Sequence, residues 1–271
     1  MVKRVLAGFP TNLTGYGHGP RKALLLHCSL AHGGVYSKLG AAVGGALELT
    51  SFDQPGHGRA ADWEYDGDLQ DRVTEMALEL LTEPMDIIGH SFGGTVALRL
   101  AVERPEMVRS LSLLEPVMMA VAKVDNPKAT AILMQEMGGF YQALEAGRHE
   151  LAARMFTKLY GDGRPWDSLA EESREAITHR IHLIGAGHRA VNEDHYDLIA
   201  SGKFEQIEAP TLILDGGEGG AVMNSVCEGL ARRIPNSTRV CIAGGGHMVP
   251  LTRPNAVARE ILQLVSQSQG R

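Results

Sequence analysis

The chain has 271 residues, 44% of them hydrophobic and 21% charged, and its 26 lysines and arginines against 32 aspartates and glutamates leave a formal net charge of −6. That composition excludes a disordered chain, and an acidic balance without a long Lys/Arg run excludes a nucleic-acid binder. The length suits one large domain, or one domain carrying an insertion.

The opening residues hold no apolar run of signal-peptide length before Pro10, and Asn12-Leu13-Thr14, a match to a glycosylation sequon, is read as chance. Ala23–His27 is a continuous apolar run, as expected of a strand buried on both faces. Leu47–Phe52 is a second strand, followed by the turn-rich loop Asp53–Arg59. Leu69, Val73, Met76, Leu80 and Leu81 recur at helical spacing, which predicts a helix over Asp68–Glu83 with Asp68 as its cap. Met85–Gly89 reads as a short strand that runs through His90-Ser91-Phe92-Gly93-Gly94 into a helix over Thr95–Glu103, and Val108–Leu114 is the next strand. From about Met118 to Glu205 only helical periodicity is found, over Ala129–Met137, Gly139–Ala146, Glu150–Tyr160 and Glu171–Ile184. Strand Thr211–Leu214, a helix at about Ser225–Arg233, strand Arg239–Ile242 and a helix over Asn255–Ser266 complete the pattern, with 267–271 expected to fray. Strands alternating with helices imply a mostly parallel, doubly wound α/β sheet. Its core is expected over 1–116 and 206–271, with 117–205 as a helical insertion.

Three cysteines, Cys28, Cys227 and Cys241, form no CxxC pair, so no disulfide framework is expected and a reducing, cytoplasmic setting is. No run approaches the ~18 apolar residues of a membrane helix, so no membrane partner is expected. The 32 glycines cluster beside histidines, and clustered glycines mark tight turns or close backbone approach. Gly15–Gly19 and Gly216–Gly220 lack the Lys-Ser/Thr of a phosphate loop and a full dinucleotide fingerprint, so no nucleotide cofactor is expected.

Gly89-His90-Ser91-Phe92-Gly93 is a GxSxG match between a buried strand and a helix. A serine there sits on a sharp turn with its hydroxyl above the sheet edge, and the helix N-terminus favours an oxyanion forming over it. A serine needs a base to act as nucleophile at neutral pH. Of the 11 histidines, His247 follows a late strand on the loop Gly244-Gly245-Gly246, which can carry an imidazole over the sheet edge. The amide of Phe92, next to the nucleophile, is one expected oxyanion donor.

With these residues in view the chain resembles the α/β-hydrolase fold family over Ala23–Glu115 and Ala209–Ser266. The resemblance is carried by His27 after the first long strand, the Asp53–Arg59 loop, the elbow at Ser91, Arg104-Pro105-Glu106 and Gly246-His247. It implies a serine hydrolase with a helical cap over 117–205, acting without metal or cofactor on a small-molecule substrate. Most relatives carry the triad acid after the penultimate strand, where this chain has Gly219 in Asp215-Gly216-Gly217-Glu218-Gly219-Gly220. Some relatives place it at the end of the strand after the elbow helix, which here is Glu115. Glu115 is therefore the favoured acid, with Glu218 and Asp215 as alternatives in a shifted register. The second oxyanion donor is, by the same resemblance, the amide of Ser29, with Leu30 the fallback.

The expected substrate is a small-to-medium carboxylic ester or related acyl compound. The alternatives are lactone or C–C bond hydrolysis on the same triad, or a non-catalytic ligand-binding member of the fold. His27, His57 and His90 are expected to support loops. His179 and His182, three apart on a predicted helix, lack a partner to complete a metal site. With His188 and His195 they are expected on a solvated face. The segment's methionines (Met118, Met119, Met134, Met137, Met155) and aromatics (Phe140, Tyr141, Phe156, Tyr160, Trp166) suggest an apolar pocket, although most are expected to form the segment's own core.

Overall fold

A computed structural model of the chain describes residues 2–64 and 67–268. Its strands are β1 (Val2–Leu6), β2 (Phe9–Tyr16), β3 (Arg21–Leu26), β4 (Leu47–Phe52), β5 (Met85–His90), β6 (Val108–Leu114), β7 (Thr211–Asp215) and β8 (Ser237–Cys241). They form one eight-stranded sheet in the order β1-β2-β4-β3-β5-β6-β7-β8, antiparallel for the pairs β1·β2 and β2·β4 and parallel from β4 onward. The order in which strands are added reverses at β3: the chain passes to β4 on one side and then crosses to β5 on the other, all three running parallel. A crevice at such a switch point, outside the carboxyl ends of the strands, is where open α/β sheets bind ligands.

Helices α1 (Ser37–Val43), α2 (Leu69–Leu80) and α3 (Phe92–Glu103) alternate with the strands. Alternate side chains of β3 go to opposite faces: Leu24 and Leu26 pack with Val73 and Val96 of α2 and α3, while Ala23 and Leu25 pack with Leu39 and Val43 of α1. Both faces are thus covered, so the central strands read as unbroken apolar runs. Asp68 caps α2, its side chain accepting from the amides of Gln70 and Asp71.

The helical segment holds α4 (Met119–Asp125), α5 (Pro127–Glu145), α6 (His149–Tyr160), α7 (Glu171–Arg180), α8 (Leu183–Ala186) and α9 (His188–Asn192). After it come α10 (Gly220–Arg233), α11 (Val249–Thr252) and α12 (Pro254–Gln267). The two helices expected over 129–146 are one, because Gly138 and Gly139 continue α5, and a Cβ on Gly139 would lie 2.5 Å from Met155 Cε of α6. The helix expected over Glu171–Ile184 breaks at Arg180. Helix α4 docks on α10, where Asp125 accepts from Arg233 at 2.7 Å through each carboxylate oxygen. Of the tail expected to fray, Gln267 still belongs to α12, and 269–271 lie outside the described residues.

Strands β1 and β2 were not anticipated. They form a hairpin on the turn Ala7-Gly8, whose φ values of 47° and 78° are the left-handed pair that a two-residue hairpin turn requires. Strand β1 is exposed over Val2–Val5, so it carries no alternation to read. The sequon asparagine, Asn12, lies in β2 with its side chain buried and donating to the Arg59 carbonyl at 2.9 Å. Among the described residues no helix is long and apolar enough to cross a membrane.

Candidate active site

Strand β5 ends at His90 and α3 begins at Phe92, so Ser91 alone makes the turn. Its φ of 55° and ψ of −118° are a backbone state that costs a non-glycine residue about 1–3 kcal/mol. The Leu114 carbonyl, which accepts the Ser91 amide at 2.9 Å, helps to hold it there. A Cβ on Gly93 would lie 2.2 Å from the Leu26 carbonyl oxygen, so only glycine lets α3 start this close to β3. Phe92 is the first residue of α3, and its amide has no intrahelical acceptor.

Strand β6 ends one residue before Glu115, which is fully buried and also left-handed at φ 49°. Its amide donates to the Leu214 carbonyl at 2.7 Å, and its Oε1 accepts the Gly216 amide at 2.5 Å. The Gly216 carbonyl accepts in turn from the amides of Gly245 and Gly246 at 3.1 and 3.3 Å. One residue, Gly216, thus ties the loop after β7 to both the carboxylate and the loop that carries His247.

Ser91 Oγ donates to His247 Nε2 at 2.9 Å, and His247 Nδ1 donates to Glu115 Oε2 at 3.2 Å. All three side chains are less than a tenth exposed. The other two candidate acids stand elsewhere. Asp215 accepts from Arg239 at 3.0 and 2.9 Å and from the Gly217 amide at 3.1 Å, and Glu218 is exposed. Gly219 lies beside the carboxylate, since a Cβ there would sit 3.7 Å from Glu115 Oε2 but only 2.5 Å from Met223 Cβ.

Three buried histidines brace the site, each held neutral. His90 Nε2–H donates to the His247 carbonyl at 2.9 Å, and its Nδ1 accepts from Tyr36 Oη at 2.7 Å. Tyr36 Oη itself accepts the Cys28 amide at 3.2 Å, so a buried chain of hydrogen bonds joins the loop after β3 to the loop that carries His247. Burial, with His247 nearby, pushes the His90 imidazole down to about 3. His27 accepts the Gln54 amide on Nε2 at 2.9 Å and donates through Nδ1 to the Cys28 carbonyl at 2.7 Å; burial pushes it down to about 4. Burial likewise pushes His57 down to about 3 and raises the Cys28 thiol to about 11. Cys28 is therefore a protonated, buried thiol.

Ser91, His247, Ser29 and Phe92 open onto a chamber of about 90 Å³. Met119, Met134, Met137, Tyr141, Phe156 and Tyr160 line it, whereas Phe140 and Trp166 pack into the helical segment's own core. Ser29, Phe156, Tyr160 and Met248 also border an adjoining outer groove of about 390 Å³. Leu30 lines that groove and not the chamber. His188 departs from the expectation of a solvated face: it is half-buried and lines the chamber, together with Asn192. The sequence signal for this pair was their i,i+4 spacing; Tyr36 and Gln54 had none. His179 and His182 stack edge to face with ring centroids 6.5 Å apart, and among the described residues no three His, Cys, Asp or Glu side chains converge as metal ligands.

The chain matches the alpha/beta hydrolase family over residues 23–260. The (E)-2-((N-methylformamido)methylene)succinate hydrolase of Acinetobacter baylyi is 25% identical over 215 residues, covering 77% of this chain and 76% of its own. A pimeloyl-[acyl-carrier protein] methyl ester esterase of Methylococcus capsulatus is 33% identical over 153 residues, 55% of this chain and 56% of its own. Among solved structures, a bromoperoxidase from Bacillus anthracis shares the fold with a TM-score of 0.77 at 18% identity, covering 97% of this chain and 99% of its own.

Proposed function

The chain belongs to the alpha/beta hydrolase family, and on that premise we propose that it is a serine hydrolase of short-chain carboxylic esters, with Ser91 as nucleophile, His247 as base and Glu115 as acid. The observation that carries this reading is the Ser91–His247–Glu115 chain of hydrogen bonds at 2.9 and 3.2 Å, opening on the chamber. In the first half-reaction Ser91 Oγ attacks the ester carbonyl as its proton passes to His247 Nε2. The imidazolium is stabilised by Glu115, which also keeps the Nδ1–H tautomer. The carbonyl oxygen, now an anion, is held by the amides of Phe92 and Ser29, and the N-terminus of α3 adds its dipole. Collapse of the tetrahedral adduct breaks the C–O bond, and His247 returns the proton to the departing alkoxide. A water then attacks the acyl-enzyme, giving one proton to His247. Collapse returns that proton to Ser91 Oγ and releases the acid.

The helices of 117–205 act in this reading as a cap that excludes water and shapes the acyl site. A chamber of about 90 Å³ is smaller than the cavity of about 150 Å³ that holds benzene, so acyl groups of about five heavy atoms or fewer fit best. The esterase relative favours an ester over a lactone or a C–C bond.

Fluorophosphonate labelling tests the nucleophile: an adduct on Ser91, absent in Ser91→Ala, is expected, and its absence would favour a non-catalytic binding protein. A series of nitrophenyl esters from acetate to octanoate, with a lactone and a diketone as further arms, tests the substrate. A rate optimum at three or four acyl carbons is expected, and faster turnover of the lactone or diketone would overturn the ester assignment.

A further inference from the structure

Resting on that ester-hydrolase reading, we propose that His188 and Asn192 form a hydrogen-bond-donor station in the chamber that selects acyl groups carrying an oxygen acceptor. Apart from two tyrosines, they are the polar side chains that the helical segment contributes to an otherwise apolar wall. Both belong to α9, one turn apart, so their side chains meet on one face.

The hydrogen bonding between them determines which ring nitrogen carries the proton. Asn192 Nδ2 lies 3.2 Å from His188 Nδ1 and 3.3 Å from the His188 carbonyl. An amide NH2 group only donates, so Nδ1 must accept, and the single ring proton of the neutral imidazole is on Nε2. The ring is held edge to face against Tyr141, with centroids 5.9 Å apart and planes at 84°. The start of α9 is seated on the residue beside the nucleophile, since a Cβ on Gly187 would lie 2.8 Å from Phe92 Cε2. The N–H is therefore fixed on Nε2, before substrate arrives, of a half-buried ring that lines the chamber proposed to take the acyl group.

An N–H at a largely apolar wall is costly to leave unmet, and an acyl chain with an ether or keto oxygen meets it where a plain hydrocarbon chain does not. A pair that merely closes the last turn of α9 would treat both kinds of chain alike.

The test uses nitrophenyl esters matched in shape: methoxyacetate against butanoate, and 3-methoxypropanoate against pentanoate. In each pair one methylene becomes an oxygen, and the quantity read is the ratio of kcat/KM, ether over hydrocarbon. Comparing the same pair across variants cancels the esters' intrinsic reactivity. His188→Leu is expected to lower the ratio about three- to tenfold for at least one pair, the worth of one neutral hydrogen bond. His188→Gln, which keeps an N–H, is expected to recover part of it, and Asn192→Leu, which frees the tautomer, to lower it less than His188→Leu does. Thermal unfolding of each variant confirms that it is folded. Ratios unchanged in His188→Leu and Asn192→Leu would overturn this inference alone. No turnover of any of the four esters by the unaltered chain would overturn the hydrolase reading and the inference with it.

Discussion

Strands β5 and β7 bury every residue, whereas α7 buries none and α6 only Ala152 and Ala153. The side chains proposed to react stand at the ends of the first kind of element or on loops zipped to it, and the wall of the chamber comes largely from the helices of 117–205. The difference has a physical basis. A left-handed Ser91 and a left-handed Glu115 persist only where surrounding strands over-determine the backbone, and the sheet edge does this through hydrogen bonds from their amides to Leu114 and Leu214. The helices hold no such strained pair at the chamber, so their side chains can change shape and polarity while the chemistry beneath stays in register.

The largest test of this contrast is Ser91→Ala. Turnover of a nitrophenyl ester should fall on the order of 10⁴- to 10⁶-fold, with a melting temperature close to that of the unaltered chain. Glu115→Gln should lower kcat by about 10³- to 10⁴-fold, because the imidazolium loses its partner and the tautomer its anchor. Adding Gly219→Asp to that variant should restore nothing, since a side chain there runs into Met223 within 2.5 Å. Recovered activity would show that crowding is not what keeps an acid out of position 219.

A third test separates the two regions by pH. His27, His57 and His90 titrate near 4, 3 and 3 when folded, below the value of about 6.5 in an unfolded chain. The unfolded chain therefore takes up protons as pH falls below about 6.5, while the folded chain does not until about 4. Their contribution is complete above about pH 6.5 and is lost toward pH 4, by about 1.4 kcal/mol per histidine per pH unit. Urea midpoints at pH 7.5 and 5 should fall accordingly, and equal midpoints would show that these rings are not held neutral.

The smallest effects belong to the helices. Arg180 of α7 donates to the carbonyls of Gly56 and Gly58 at 3.1 and 3.4 Å, tying the segment to a core loop, and Arg180→Ala should cost about 1–2 kcal/mol in urea unfolding. Arg154 pairs with Asp167 at 2.9 Å between groups more than half exposed. Arg154→Ala should therefore cost less than about 0.5 kcal/mol.

How far the sequence could be read follows the same division. The buried parallel strands were legible as apolar runs, with Leu47–Phe52 and Val108–Leu114 matching residue for residue. The exposed β1 was not, because Val2-Lys3-Arg4-Val5 has no alternation to mark a face. Gly138-Gly139 suggested a helix break that the packing of Met155 overrides. Ser91 and His247 stood out by local turn chemistry, while Glu115 was favoured over Glu218 and Asp215 only through the resemblance, because no local pattern marks which carboxylate meets the histidine.

The sequence by itself determined the alternation of strands and helices, the serine turn between β5 and α3, the glycine loop that bears His247, and the glycine at position 219. These are local matters of periodicity and backbone freedom, written in neighbouring residues. Only the tertiary structure decided which carboxylate meets His247, which histidines are braced neutral, and which residues of the helical segment reach the chamber. Each of those depends on residues far apart in the chain. Gly216 touches both Glu115 and the loop before His247, and Gly187 is seated on Phe92, because a close-packed interior fixes such meetings in space and not by spacing along the sequence.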